Sequence, residues 1–157
     1  MIARLTVPIL LVVVLFCGQA VAQDKGIGVG VILGEPTGLS GKWWLTKTIA
    51  IDGAVAWSFA DDEGIQLHAD ALYHQFDLLK VSKGQLPIYF GVGARIKFEV
   101  DDEDNDNRFG IRFPVGIAYI FGETPLDIFF ELVPILELAP STRFAFNGAV
   151  GVRYFFW

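Results

Sequence analysis

The sequence predicts an all-β fold, a closed eight-stranded antiparallel up-and-down transmembrane β-barrel that follows a cleaved N-terminal signal peptide. Three observations predict it. The chain begins like a secretory signal, it is 53% hydrophobic without a later apolar run long enough for a membrane helix, and its apolar residues alternate with small or polar ones. A transmembrane strand needs only ~9–11 residues, with every second side chain facing lipid, so a barrel accounts for all three observations.

The N-terminal segment has the order of a signal peptide. Arg4 supplies a positive charge, residues 7–17 form an apolar run, and Ala20-Val21-Ala22 provides a small-x-small cleavage site. We predict cleavage after Ala22. The chain then divides into a signal peptide, residues 1–22, and a single outer-membrane β-barrel domain, residues 23–157.

Composition argues against two classes of function. Cys17, the one cysteine, lies within the predicted signal peptide, and Phe16 precedes it where a lipoprotein signal needs a small residue. The mature chain therefore has no thiol for disulfides or nucleophilic chemistry. The chain carries 12 basic and 18 acidic residues, and this acidic balance argues against nucleic-acid binding, because phosphate backbones attract basic surfaces.

The predicted strands are stretches of alternating residues between turn-rich gaps. In Ile88–Val100, every even-numbered residue is apolar, whereas the odd-numbered ones are Tyr89, two glycines and three charged residues. The first two stretches are shorter and rich in glycine. The eight predicted strands are residues 26–34, 37–45, 49–59, 65–74, 88–100, 109–121, 126–138 and 143–156.

One face of these strands carries charges and the other carries large aromatic rings. An eight-stranded interior is just wide enough for side chains to fill it, so the rings would not fit inside. We therefore predict that apolar side chains face lipid and that charges face the lumen. The predicted lumenal charge network is Arg95, Lys97, Glu99, Arg112, Glu131, Glu137 and Arg153.

Basic and acidic members of this network can pair on adjacent strands and across the lumen, which offsets the cost of burying them. Gly91, Gly93, Gly116 and Gly151 share the charged face and leave room for the longer side chains. The interpretation we favour is that the charges plug and brace the barrel. A narrow passage for water or ions is the functional alternative.

An even number of strands puts both ends of the barrel domain on one side, the periplasm. The connections Glu35-Pro36, 61–63, 101–107 and 140–142 then face outward, and 46–47, 77–85 and 122–125 face the periplasm. The 77–85 connection departs from the usual short periplasmic turn. Aromatic girdles are predicted at both edges of the barrel. Their members are Trp43, Tyr73, Tyr119, Phe121, Tyr154 and Phe156 at the periplasmic edge, and Trp57, Phe59, Phe98, Phe109 and Phe144 at the outer edge.

Pro114 and Pro134 fall inside predicted strands, where a proline removes a ladder hydrogen bond. Glu131 and Glu137 keep the same parity on either side of Pro134, which argues against an inserted residue. We therefore expect a local bend.

The C-terminal strand resembles the closing strand of small outer-membrane barrels of the OmpA/OmpX type. Val150–Phe156 alternates and ends on Tyr-x-Phe, and Trp157 extends the pattern by one residue. Residues 34–44 resemble a hairpin in a family of uncharacterised predicted outer-membrane barrels. The resemblance implies that Tyr154, Phe156 and Trp157 form an assembly signal read by the barrel-assembly machinery. It also implies a monomer in contact with outer-membrane lipid and lipopolysaccharide, with a structural, adhesive or stress-related surface role.

Candidate chemical sites are few, and we expect no catalytic residue, cofactor or metal. His68, Asp70 and His74 share one face of a strand, and two histidines with a carboxylate could bind a metal, or a His–Asp pair could orient a base. At ~3.3 Å per residue, ~20 Å separates the two histidines, so one site cannot hold both. Lumenal hydrogen bonding is therefore the favoured interpretation. Asp101–Asn107 offers oxygen ligands for Ca²⁺, but it lacks the glycine and glutamate of an EF-hand loop. The hydroxyls Ser58, Ser141 and Thr142 show no Ser–His–acid order.

Three hypotheses about function follow. The first is a structural or surface-interaction barrel without catalysis. The second is a small channel for water, ions or small solutes. The third is an outer-membrane enzyme that modifies lipid A.

Overall fold

The computed structural model describes residues 26–59, 63–99 and 107–156. The predicted signal peptide, residues 101–106 of the acidic connection and Trp157 lie outside the described residues. Nine strands form one antiparallel sheet, which confirms the predicted all-β class. They are β1 Gly26–Glu35, β2 Thr37–Trp44, β3 Ile49–Ser58, β4 Gly64–Gln75, β5 Ile88–Glu99, β6 Arg108–Arg112, β7 Val115–Ile120, β8 Leu126–Ala139 and β9 Arg143–Phe155.

The sheet closes on itself. Consecutive strands pair from β1 to β5, β9 pairs with β1 and β8, and the short strands β6 and β7 both pair with β5 and β8. The strands β6 and β7 therefore occupy a single position, so the ring has eight positions, as the sequence predicts. Among the described residues, no helix is long and apolar enough to span a membrane.

The prediction of one unbroken strand over residues 109–121 is wrong, because the strand is interrupted at Phe113-Pro114. Pro114 has no N–H to give to the ladder, but its carbonyl still accepts from the Gly91 N–H at 3.0 Å, and the Phe113 N–H donates to the Pro134 carbonyl at 2.9 Å. The register with β5 is unchanged across the gap. The interruption therefore removes ladder pairs without inserting a residue.

Pro134 does not interrupt its own strand. It lies opposite Phe146 within a continuous β8–β9 ladder, and Glu131 and Glu137 are both buried, so the predicted parity is kept. A register shift occurs farther along, where β6 residues Phe109 and Gly110 pair with Ala139 and Glu137 of β8.

Burial alternates along the strands as the sequence predicts. In β4, even-numbered side chains from Gly64 to His74 are buried and odd-numbered ones are exposed. The exposed face is apolar in every part of the ring, with exposed fractions of 64% at Leu39 and 76% at Phe144. The described girdle aromatics all lie on this outward face and none is buried. Polar and charged side chains fill the interior.

Large inward rings lie opposite glycines on neighbouring strands. Tyr89 is the register partner of Gly116, and a Cβ at Gly116 would lie 2.3 Å from Tyr89 Cζ. Phe155 stands in the same relation to Gly28, where a Cβ would lie 2.6 Å from the ring. The inward glycines therefore provide space for rings.

One end of the interior is closed by apolar side chains. We call this end, where β1 begins and β9 ends, the terminal end. Trp44, Ala50, Ile120 and Phe155 are buried there, and Phe76 packs against them. These five residues form the terminal seal.

Candidate functional site: the interior charge network

The structure places all seven predicted network residues inside the ring. Six are buried residues, and the side chain of Glu99 is only 4% exposed. Five more buried charged residues join them: Lys42, Asp52, Asp70, Arg108 and Asp127. In the described part of the chain, six basic and six acidic side chains are thus buried together, which balances the interior charge.

The predicted network did not include these five residues, although the parity of Asp52, Asp70 and Asp127 along their strands also indicates an inward position. The signal for Lys42 was its parity with Gly38 and Ser40 along β2. Arg108 begins β6 and shares the parity of Gly110 and Arg112.

Three arginines surround Glu137 near the end opposite the terminal seal. Arg95 forms a short ion pair with Glu137 Oε1, and Arg143 Nε donates to Oε2 at 2.5 Å. Arg108 Nη1 lies 4.0 Å from Oε1, and its Nε lies 2.7 Å from Glu99 Oε1. Arg143 is partly solvent-exposed, so Glu137 connects the buried network to the mouth of the ring.

Neutral polar side chains connect this cluster to neighbouring strands. The Gln66 carbonyl oxygen accepts from Arg95 Nη1 at 3.2 Å and from Asn147 Nδ2 at 3.4 Å. The Gln66 amide nitrogen lies 3.2 Å from His68 Nδ1. His68 therefore takes part in lumenal hydrogen bonding, as predicted.

The centre of the interior is held by Arg112, which is fully buried. Its Nε donates to both oxygens of Asp70, at 2.9 and 3.1 Å, and its Nη2 lies 3.6 Å from Glu131 Oε1. The Tyr89 hydroxyl donates to Glu131 Oε2 at 2.9 Å. Arg112 thus links β4 to β8 across β5, and burial in an environment of low dielectric strengthens each of these contacts.

Arg153 organises the cluster nearest the terminal seal. Its Nη2 lies 2.8 Å from Asp52 Oδ2, and its Nε donates to Ser40 Oγ at 3.0 Å. Its Nη1 lies 3.9 Å from Asp127 Oδ2. Arg153 therefore pairs most closely with Asp52 of β3, an acid that the predicted network did not include.

Lys42 lies directly above the terminal seal. Its Nζ donates to His74 Nε2 at 2.8 Å and lies 3.8 Å from Asp127 Oδ2. The same ammonium lies 4.4 Å from the centre of the Trp44 ring, within cation–π range. His74 is therefore used as a neutral acceptor for a buried cation.

The histidines do not assemble a metal site. Among the described residues, no group of three or more His, Cys, Asp or Glu side chains could hold a metal ion, and His68 and His74 belong to different clusters. The Ser58 hydroxyl donates to Glu35 through a short hydrogen bond, and the Phe59 N–H donates to the other Glu35 oxygen at 2.9 Å. Ser58 thus takes part in a contact that joins the ends of β1 and β3.

Comparison with solved structures identifies the architecture. The chain is similar to the N-terminal β-barrel domain of Pseudomonas aeruginosa OprF, known from a crystal structure, with a TM-score of 0.61 and 14% sequence identity. The similarity covers 84% of this chain and 98% of that domain. The fold is that of a small OmpA-like β-barrel. No protein-family model and no curated protein sequence matches the chain.

The barrel interior can hold charges because it pairs them. Removing one member of a buried ion pair leaves an uncompensated charge, which typically costs ~3–5 kcal/mol. The network therefore fixes the relative positions of strands that are not adjacent, such as β3 and β9 through Asp52 and Arg153. The charge network can thus stabilise the barrel and obstruct its interior.

Proposed function

We propose that this barrel is inserted in the bacterial outer membrane, where it has a structural or surface-interaction role without catalysis. The observation that carries the proposal is the inside-out distribution of polarity. The outward face exposes apolar side chains such as Val55 (60%) and Phe146 (68%), while Arg112 and Asp127 are completely buried. A barrel with an apolar exterior and a charged interior suits hydrocarbon as its solvent.

The filled interior supports a structural role over an open channel. Paired charges occupy the middle of the barrel, and the terminal seal closes one end, with Ala50 at 0% and Trp44 at 4% exposure. Water or ions would have to displace both the ion pairs and the seal. We therefore expect no steady current when the protein is inserted in planar bilayers. A reproducible single-channel conductance after verified insertion would favour the small channel instead.

Heat-modifiable gel migration tests the barrel and its insertion together. The mature protein, extracted from membranes in detergent, should migrate as a compact species without heating and as an unfolded chain after boiling. A mature protein that is monomeric and water-soluble without detergent would overturn the proposal.

The expectation of no catalysis extends to lipid A. Ser58 is engaged by Glu35, and no Ser–His–acid arrangement is formed among the described residues. Lipid A mass spectra from cells with and without the protein should therefore be identical. A new acylation or deacylation product that depends on expression would support the enzyme hypothesis.

The orientation and assembly of the barrel complete the proposal. With the terminal end in the periplasm, the opposite end of the barrel would face lipopolysaccharide, and the outward placement of the acidic connection 101–107 stays a prediction. Tyr154, Phe156 and Trp157 would then be read by the barrel-assembly machinery during insertion, as the family resemblance implies. The protein would function as a monomer in lipid.

A further inference from the structure

The connection between β4 and β5 is the longest at the terminal end. It spans residues 76–87, whereas the two other connections at this end span residues 45–48 and 121–125. Periplasmic turns of outer-membrane barrels are usually short. The structural role proposed above does not account for the additional length.

This connection is fixed to the barrel at both ends. Phe76 packs against the terminal seal, with its ring 6.2 Å from that of Trp44. Gln85 and Ile120 exchange backbone hydrogen bonds of 2.9 and 2.8 Å, and the hydroxyl of Tyr119 donates to the Lys83 carbonyl at 3.0 Å. The segment between these anchors is therefore held close to the terminal end of the barrel.

The anchored segment exposes apolar side chains beside lysines. Leu78 is 64% exposed, Leu79 is 38% and Val81 is 40%, and Lys80 and Lys83 are exposed as well. Tyr119, which holds Lys83, belongs to the outward face of the barrel and lies near its edge. Apolar side chains next to basic ones at such an edge suit the membrane interface, where the alkyl groups enter the lipid and the ammonium groups reach phosphates.

We propose that residues 78–83 are a binding surface for the headgroups of anionic phospholipids around the terminal end. The proposal rests on the membrane insertion proposed above. Charge complementarity selects the lipid class, because the segment has two lysines and no acid. Lys47 adds a third cation at this end, while Asp77 and Glu123 lie at the same end outside the segment.

A site-specific fluorescent probe can test this proposal. The predicted mature chain lacks cysteine, so Ser82→Cys can be labelled in the full mature protein and refolded into phosphatidylcholine vesicles. Nitroxide-labelled phosphatidylglycerol and nitroxide-labelled phosphatidylcholine are then compared as quenchers, and the ratio of their association constants reports headgroup preference. The control is Ser141→Cys, because Ser141 is an exposed serine at the opposite end.

We expect phosphatidylglycerol to be preferred at position 82, because a lysine near an anionic surface contributes about a fivefold factor in affinity. Lys80→Gln with Lys83→Gln should lower the ratio severalfold, towards one. Lys80→Arg with Lys83→Arg should retain it, and Asp77→Asn should not lower it. None of these changes should alter the ratio at position 141.

Two results would overturn the inference. One is a ratio near one at position 82 in the otherwise unsubstituted protein, and the other is a ratio that does not respond to loss of both lysines. Absence of quenching by either lipid, with heat-modifiable migration intact, would likewise overturn the inference, because position 82 would then lie away from the lipid. Loss of heat-modifiable migration in the labelled parent would count against the proposed function itself.

Discussion

The ring of Phe129 lies over Gly151 of the neighbouring strand, so closely that a Cβ at Gly151 would be 2.3 Å from Phe129 Cζ. The centre of the same ring lies 3.9 Å from the guanidinium carbon of Arg153. Arg153 in turn pairs with Asp52. The absence of a side chain at Gly151 on β9 thus makes room for the Phe129 ring on β8. That ring contacts the guanidinium of Arg153, which forms an ion pair with a carboxylate on β3.

Gly151→Ala should destabilise the barrel, because the added methyl group would clash with the Phe129 ring and displace it from its present contact with Arg153. Overpacking of this kind typically costs ~1–3 kcal/mol. The free energy of unfolding, measured by urea titration in phospholipid vesicles, checks the prediction. Gly148→Ala is the control, since the nearest atom to a Cβ there is a Leu132 side-chain carbon at 3.3 Å. Equal stabilities for the two variants would contradict the packing argument.

Glu137→Gln should be among the most damaging single changes in the interior. The substitution keeps the shape of the side chain but removes the charge shared by Arg95, Arg108 and Arg143. Removing one partner of a buried ion pair costs ~3–5 kcal/mol, and the same urea titration measures that loss. Glu123→Gln, at an exposed turn position, should leave the unfolding free energy unchanged. A neutral effect at position 137 would show that the network does not brace the barrel.

Leu132→Arg tests which solvent surrounds the barrel. Leu132 is 50% exposed and lies at the middle of β8. In a bilayer, an arginine at the midplane costs ~2–4 kcal/mol, whereas the same change on a water-exposed surface falls within about 0.5 kcal/mol. Folding free energies in vesicles should show the larger loss. Leu138→Arg, near the end of the same strand, should cost less, and similar small losses at both positions would argue against a bilayer.

Phe156→Ala should impair assembly in cells more than it impairs stability. Phe156 is outward-facing and 41% exposed, and its ring lies 5.1 Å from that of Tyr154. If the assembly machinery reads this residue, the amount of heat-modifiable protein in the outer membrane should fall, while refolding of the purified variant into vesicles proceeds normally. Phe121→Ala removes a partly exposed aromatic that directly follows β7 at the same end. Equal losses for the two variants would contradict a role as an assembly signal.

The faces of the strands could be predicted from the sequence, because residue parity alone determines them. Arg95, Lys97 and Glu99 alternate with apolar residues, and they lie inside as predicted. Partners across the interior could not be predicted in the same way. Arg153 pairs with Asp52, which lies on a strand that is not adjacent to its own. The stagger of the closed sheet sets the height of each residue, and parity carries no information about height.

At Pro114 the sequence predicts a bend in the strand rather than an interruption. Both prolines lack an N–H, but Pro134 remains within a paired strand and Pro114 does not. The two prolines lie close together in the sheet, because the Phe113 N–H donates to the Pro134 carbonyl beside the interruption. Two residues without an N–H, from different strands, therefore weaken the ladder at one place. Lys42 was missed for another reason, since the glycine-rich β2 gave too weak an alternation to draw attention to a single lysine.

The terminal seal closes the charge-filled interior at one end, so solvent contacts the interior mainly from the opposite mouth. A small water-soluble reagent that enters from the opposite mouth reaches Arg143, whose side chain is 41% exposed, well before Arg153, whose side chain is 2% exposed. Reactivity towards such a reagent should therefore decrease along the interior, from Arg143 to Arg153.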